Sequence, residues 1–258
     1  MKVFVLKKNS IIFYALLFVL SITIVATNWD EAGFVFGTNI QNNNLPIYSV
    51  DKGEEKICAI SFDAAWGNED TPLLIEILDK YKIKTTFFVV GSWVDKYPES
   101  VKALSDAGHE IMNHSNTHAH MTKISSEKMK EEVTKCSEKI KAITKKEPNL
   151  FRPPYGDYNS EVINEVEKLS NYVIQWSVDS LDWKDYSPDD IYKRVVTNIH
   201  PGAIVLFHNA AKNTPEALKK ILPKLIEDGY KIVPVSQIIM KDNYKIDHTG
   251  KQIEKPKE

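Results

Sequence analysis

Ile57-Cys58-Ala59-Ile60-Ser61-Phe62-Asp63 is the stretch that decides the fold. It is short, apolar on both faces and ends on a carboxylate. A strand buried on both sides reads this way in a parallel sheet, where helices cover each face. The same kind of run recurs at Thr85–Val90, His109–Asn113, Leu150–Arg152, Tyr172–Ser177, Ala203–Phe207 and Lys231–Pro234. Amphipathic patterns separate these runs. Thr71-Pro72, Ser187-Pro188 and Thr214-Pro215 each pair a capping residue with a proline suited to a first helical turn. Met129, Val133, Cys136 and Ile140 form one apolar stripe at helical spacing. Asp106-Ala107-Gly108 and Asp228-Gly229 read as helix ends, where glycine takes a left-handed conformation. Seven strand–helix units in succession predict a parallel α/β architecture. Pattern alone does not separate a doubly wound sheet from a closed barrel. The polar residues that follow several different strands favour the barrel, which gathers its site at the strand ends.

Composition sets the outer bounds. Lys plus Arg number 33 and Asp plus Glu 35 in 258 residues, a formal charge of −2. Such a balance predicts no nucleic-acid partner. Two cysteines, Cys58 and Cys136, are too few for a disulfide framework and read as buried thiols. At the N-terminus Lys7 and Lys8 precede an apolar run from Ile11 to Ala26, followed by Asn28-Trp29-Asp30-Glu31. A basic flank before an apolar segment fits a signal anchor or a signal peptide, with the rest of the chain exported. Ile24-Val25-Ala26 lacks the small residue that cleavage favours at the third position back, so the uncleaved, membrane-held anchor is preferred. The sequence therefore divides into an anchor or signal peptide (1–27), a polar linker (28–54), a globular domain (55–240) and a loose polar tail (241–258).

Several strand ends carry chemistry. Asp63 closes the first strand, where a buried carboxylate must be paired or used. Structural and catalytic roles are equally open for it alone. His114-Ser115-Asn116-Thr117-His118 follows the third strand. On a helical turn this spacing sets two imidazoles on one face, where both can hold one cation, although the spacing alone is a weak signal. His109 reads as a core or supporting residue and His120 as solvated. Phe151-Arg152-Pro153-Pro154-Tyr155-Gly156 follows the fourth strand, and its prolines stiffen a turn that can turn Arg152 inward or leave it on the surface. Asp179-Ser180-Leu181-Asp182-Trp183 sets two carboxylates beside an aromatic that suits a sugar face or a core. Leu206-Phe207-His208 places a histidine at a strand mouth, either an acid or base or a hydrogen-bonded structural residue.

Taken in order, Asp, His-x-x-x-His, Arg-Pro-Pro-Tyr, Asp-x-x-Asp-Trp and Leu-x-His, each after a successive strand, resemble the NodB-homology polysaccharide deacetylases, carbohydrate esterase family 4. The resemblance runs from about Lys56 to Val235. It is nearest to the sporulation-associated deacetylases of Gram-positive bacteria, whose first motif matches Phe62-Asp63-Ala64-Ala65-Trp66-Gly67. The resemblance implies a distorted (β/α)7 barrel of the NodB-homology type. It also implies a metal-assisted N-deacetylase acting on an N-acetylated glycan, peptidoglycan or a chitin-like oligomer, and a monomer is expected. By resemblance Asp63 is the general base and His208 the general acid. Arg152 orients Asp63, and Asp182 orients His208. Tyr155 offers its backbone N–H to the oxyanion, and Trp183, Leu206 and Pro154 shape the acetyl pocket. His114 and His118 are the implied ligands of a divalent cation, Zn2+ with Co2+ or Ni2+ as alternatives. One departure stands out. Family members carry a second Asp as third metal ligand where this chain has Ala64. A weak or inactive glycan-binding barrel is the competing expectation. Export is directly testable: protease added to intact cells stripped of wall is expected to digest the globular domain, and its protection, with lysed cells as control, contradicts the assignment.

Overall fold

The computed structural model describes residues 44–256. The expected anchor and most of the expected linker lie outside the described residues. The strands are β1 (Ser49–Val50), β2 (Ile57–Ala64), β3 (Thr86–Val89), β4 (Glu110–Asn113), β5 (Leu150–Phe151), β6 (Tyr172–Val173), β7 (Val178–Asp179), β8 (Ile204–His208), β9 (Lys231–Val233), β10 (Tyr244–Ile246) and β11 (Lys251–Glu254). The main sheet runs β6-β5-β4-β3-β2-β8-β7 in parallel pairing, with β9 joined to the start of β2. Helices connect most of these strands, giving the expected distorted (β/α)7 barrel.

The alternation of β2 explains both layers. Cys58, Ile60, Phe62 and Ala64 pack outward with helix residues such as Leu74, Leu218 and Ile221. Ala59 faces inward with Phe88, Met112, Leu150, Ile174, Ile204 and Val233. The period of two then sends Ser61 and Asp63 inward at the C-terminal end of the barrel.

The distortion has a specific origin. The expected strand Tyr172–Ser177 is formed only at its start: β6 lies at one end of the sheet, the chain breaks away after it, and β7, which begins beyond Ser177, lies at the other end. Segment 47–50, expected to be linker, lies across this break. Ile47 N–H donates to the Val173 carbonyl (2.8 Å), Gln175 N–H donates to the Ile47 carbonyl (2.8 Å), and Val50 N–H donates to the Gly202 carbonyl (3.0 Å). The expected loose tail is also corrected. β10 and β11 form an antiparallel hairpin, and β11 pairs in parallel with β1. An Asp247 carboxylate oxygen accepts the N–H groups of Thr249 (2.8 Å) and Lys251 (3.0 Å), which sets the turn. Buried Gln252 exchanges two hydrogen bonds with the Met240 backbone, each 2.7 Å. A polar composition concealed this hairpin because its partners are distant in sequence. The helix starts are mixed. Ser187 caps the Pro188–Asn198 helix as expected, whereas Thr71 and Thr214 are already the first helical residues.

Gly202 is the tightest approach in this seam. It sits at φ +78°, and a Cβ there would lie 1.6 Å from the Val50 carbonyl oxygen. Gly202→Ala is therefore expected to destabilise the protein by about 2–3 kcal/mol or more, since it combines a disfavoured conformation with a backbone clash. A denaturation midpoint equal to that of the parent protein contradicts this reading of the seam.

Candidate active site

Asp63 is buried at the end of β2. Its Oδ1 accepts from Arg152 Nη1 at 2.7 Å, and its Oδ2 lies 3.4 Å from His114 Nε2. Arg152 is wholly buried just after β5. Its Nη2 donates to Ser61 Oγ (2.9 Å) and to the Gln175 carbonyl (3.2 Å), and its guanidinium carbon lies 4.1 Å from the centre of the Phe88 ring. Burial pushes the Asp63 carboxyl up, but the charges around it and the Arg152 hydrogen bond outweigh burial and hold Asp63 below its ordinary value. Asp63 is thus a carboxylate at neutral pH.

The histidine pair meets, though not on a helical turn. Residues 114–118 form a loop in which Ser115 (φ +67°) and His118 (φ +60°) are left-handed. Side chains fix its path. Asn113 Oδ1 accepts Ser115 N–H, Ser115 Oγ accepts His118 N–H, and Glu132 accepts the N–H groups of Asn116 and Thr117. The rings end with centres 5.0 Å apart. His114 Nδ1 lies 2.7 Å from the Arg152 carbonyl, so Nδ1 carries the proton and the Nε2 lone pair faces Asp63. Burial lowers the pKa of His114, and burial with the neighbouring His114 takes His118 down to about 4. Both imidazoles are neutral and available as ligands.

On the other wall, buried Asp182 holds His208. Its Oδ1 meets His208 Nδ1 at 2.8 Å, and its Oδ2 accepts His208 N–H (2.8 Å) and the Thr214 hydroxyl (2.6 Å). Burial alone would lower the His208 pKa, but the hydrogen bond and charge of Asp182 raise it above the ordinary value. Tyr155 adopts φ +61° in the turn formed by Pro153 and Pro154. Its ring stacks on His120 at 4.1 Å and meets His118 edge-on at 4.4 Å, and His120 is exposed as expected. His109 is buried near Thr85, away from the site, as a core residue.

These groups open into one cavity of ≈ 430 Å³, lined by Asp63, His114, His118, Tyr155, Trp183, Leu206 and His208 together with Ala65, Trp66, Trp176 and Asp179. Arg152 and Asp182 stand behind its lining, and Pro154 shapes the Tyr155 turn. Sequence reasoning missed Ser61, Glu132 and Trp176. Ser61 was findable, because it shares the face of Asp63 two residues away. Glu132 was findable as a charge beside the apolar stripe of its helix. Trp176 sits in the broken strand and gave no signal. Among the described residues no three His, Cys, Asp or Glu groups converge as a metal centre. The donor set fits a cation through His114 and His118. At the third position Ala64 offers no donor and packs outward.

The family model for polysaccharide deacetylase matches residues 50–174. A peptidoglycan-N-acetylglucosamine deacetylase of Bacillus cereus is 37% identical over 190 residues, 72% of this chain and 89% of that protein. The chain belongs to the polysaccharide deacetylase family. That family is generally metal-dependent. The peptidoglycan-N-acetylmuramic acid deacetylase PdaA of Bacillus subtilis is 31% identical over 75% of each chain. Curated deacetylase relatives are matched over 39% to 89% of their own lengths, and the uncharacterised Bacillus subtilis protein YlxY over 60%. BA3943 of Bacillus anthracis, described as a pseudoenzyme of carbohydrate esterase family 4, superposes with a TM-score of 0.72 at 38% identity, over 75% of this chain and 68% of that one. A mutant of BA3943 with restored enzymatic activity superposes with a TM-score of 0.73.

The two arms of the site titrate in opposite senses. The raised His208 contributes stability below its ordinary pKa and loses that contribution as pH rises through the raised value. The lowered Asp63 contributes above its ordinary pKa and loses that contribution as pH falls through the depressed one. Asp182→Asn is expected to drop the His208 pKa below its ordinary value, because burial then acts without the carboxylate. An imidazole titration followed by NMR reads this directly, and an unchanged pKa contradicts the assignment.

Proposed function

We propose that this protein removes N-acetyl groups from an exported cell-wall glycan, peptidoglycan, during sporulation. The observation that carries the reading is one cavity flanked by a carboxylate held in its ionised form and a histidine pushed toward its protonated form. Arg152 does the first and Asp182 the second. Amide hydrolysis needs both: a base to take a proton from water and an acid to give one to the leaving nitrogen. Asp63 receives the water proton as the acetyl carbon is attacked. His208 protonates the amine nitrogen as the C–N bond breaks, leaving acetate and a free amine. The Tyr155 N–H, which has no hydrogen-bond partner among the described residues, takes the oxyanion. Trp183 and Leu206 wall the acetyl methyl. A divalent cation, zinc or alternatively cobalt or nickel, would be held by His114 and His118 and would polarise the acetyl carbonyl and acidify water. All these groups come from one chain, and we take the monomer, held at the outer face of the membrane by its N-terminal segment, as the acting unit.

Ala64 and the likeness to BA3943 favour a second reading, a barrel that binds glycan with little or no hydrolysis. The two readings part on acetate release from N-acetylated peptidoglycan oligomers. The parent protein is expected to release acetate, and Asp63→Asn and His208→Ala are each expected to cost on the order of 10²-fold in turnover. Ala64→Asp is expected to retain metal more tightly against a chelator. Metal-free, it should melt below the parent protein, because its new carboxylate starts from a buried apolar position. Acetate release by Ala64→Asp alone, with none from the parent, establishes the second reading. Full activity in Asp63→Asn contradicts the mechanism.

A further inference from the structure

Trp66 has no role in the chemistry above, yet its indole is stacked with the imidazole of His208. The ring centres are 5.8 Å apart and the planes 15° from parallel. The backbone on either side is laced together. Asn209, the residue after His208, donates from Nδ2 to the carbonyls of Trp66 (2.7 Å) and Gly67 (2.6 Å), and Ala65 N–H donates to Asn209 Oδ1 (3.3 Å). Trp93 Nε1 donates to the Gly67 carbonyl (2.6 Å), and Ala210 N–H donates to Asp70 Oδ2 (2.8 Å). Gly67 is required for this approach. It sits at φ +49°, where a Cβ would lie 2.5 Å from the Ala210 Cβ. The loop after β2 and the loop after β8 therefore hold the two rings at a fixed spacing.

His208 stands between opposed influences. Burial is the largest, and it disfavours the charged ring. Asp182 opposes it by hydrogen bond and charge, and Asp63 and Asp179 add to that opposition by charge. His114 and His118 also face the cavity, and both are neutral. Only 13% of the His208 side chain is exposed. Any side chain laid beside the imidazole deepens its burial, so an aliphatic neighbour works against the acid. An aromatic neighbour differs, because the negative face of its π system attracts a cation within about 6 Å of the ring centre. The spacing of Trp66 and His208 falls inside that limit, and tryptophan is the strongest aromatic partner for a cation.

We propose that Trp66 is a positioning residue for His208: its indole shields the imidazole from water and at the same time stabilises the imidazolium by a cation–π contact. That His208 is the general acid rests on the deacetylase reading above, whereas the pairing of the two rings stands on its own geometry. The arrangement meets two needs that conflict elsewhere. A proton donor for the leaving nitrogen must hold its proton until the C–N bond breaks, and shielding from water alone would take that proton away. Asp182 acts on the Nδ1 side of the ring, and Trp66 acts on its plane. Asn209 acts on both rings through the backbone.

Titration of the His208 imidazole by NMR tests this without requiring turnover, with every protein compared at the same metal content. Tetrafluorotryptophan placed at position 66 alone keeps the shape of the indole and withdraws the negative charge from its faces. It is expected to lower the His208 pKa by about half a pH unit relative to the parent protein. Trp66→Leu, which keeps an apolar cover without a π face, should lower it as well. Trp66→Phe should hold most of the parent value. The alkaline limb of acetate release should move down with the His208 pKa in the fluorinated protein, which a purely structural brace would not produce. A fluorinated protein whose His208 titrates as in the parent overturns the proposal. So does a fall in Trp66→Phe as large as that in Trp66→Leu. A lowered titration in a protein that releases no acetate supports the pairing of the rings and contradicts the activity.

Discussion

Arg152 and Asp63 face each other inside the barrel at 2.7 Å, the arginine wholly buried and the carboxylate nearly so. Burying two charges carries a desolvation cost that their attraction repays only when geometry and further hydrogen bonds are good. Here the further bonds tie distant parts of the chain together. The Arg152 guanidinium reaches Ser61 on β2 and the Gln175 carbonyl at the strand break, and its own carbonyl fixes the tautomer of His114. Removing Arg152 would leave Asp63 as an uncompensated buried charge, a change of the kind that costs about 3–5 kcal/mol. One arginine thus sets the charge of Asp63, the aim of the His114 imidazole and a tie between β2 and the segment after β6.

Around that pair the same residue types take opposite states. Asp63 and Asp182 are both buried carboxylates. The first is aimed at the cavity and neutralised from behind by arginine, while the second is turned away from it and spends both oxygens on His208 and Thr214. His114 and His118 are driven neutral by burial, and His208 is driven towards the cation by Asp182. The difference between these imidazoles is therefore made by their surroundings.

Much of this was legible in the sequence because it is local. Apolar runs gave most of the barrel strands, and polar residues just past them marked the side of the barrel that carries the site. The spacing of His114 and His118 pointed to a shared face, but the agent is a loop pinned by Asn113, Ser115 and Glu132 and not a helical turn. What escaped depends on long-range pairing. Tyr172–Ser177 has the composition of one strand, yet Ile47 bonds across it and splits it. The C-terminal hairpin is polar, and its β11 pairs with β1, which is distant in sequence. Asn209 and Trp66 gain meaning only when the loops after β2 and β8 are seen to interlock.

The central claim is that Arg152 keeps Asp63 ionised inside an apolar barrel. The most direct measurement is the titration of the Asp63 carboxyl by carbon NMR in the parent protein and in Arg152→Met. The parent carboxyl should remain ionised below the ordinary carboxylate range, and loss of the guanidinium should move its pKa above that range, because burial then acts with less to oppose it. An Asp63 that titrates at its ordinary value in both proteins would contradict the account.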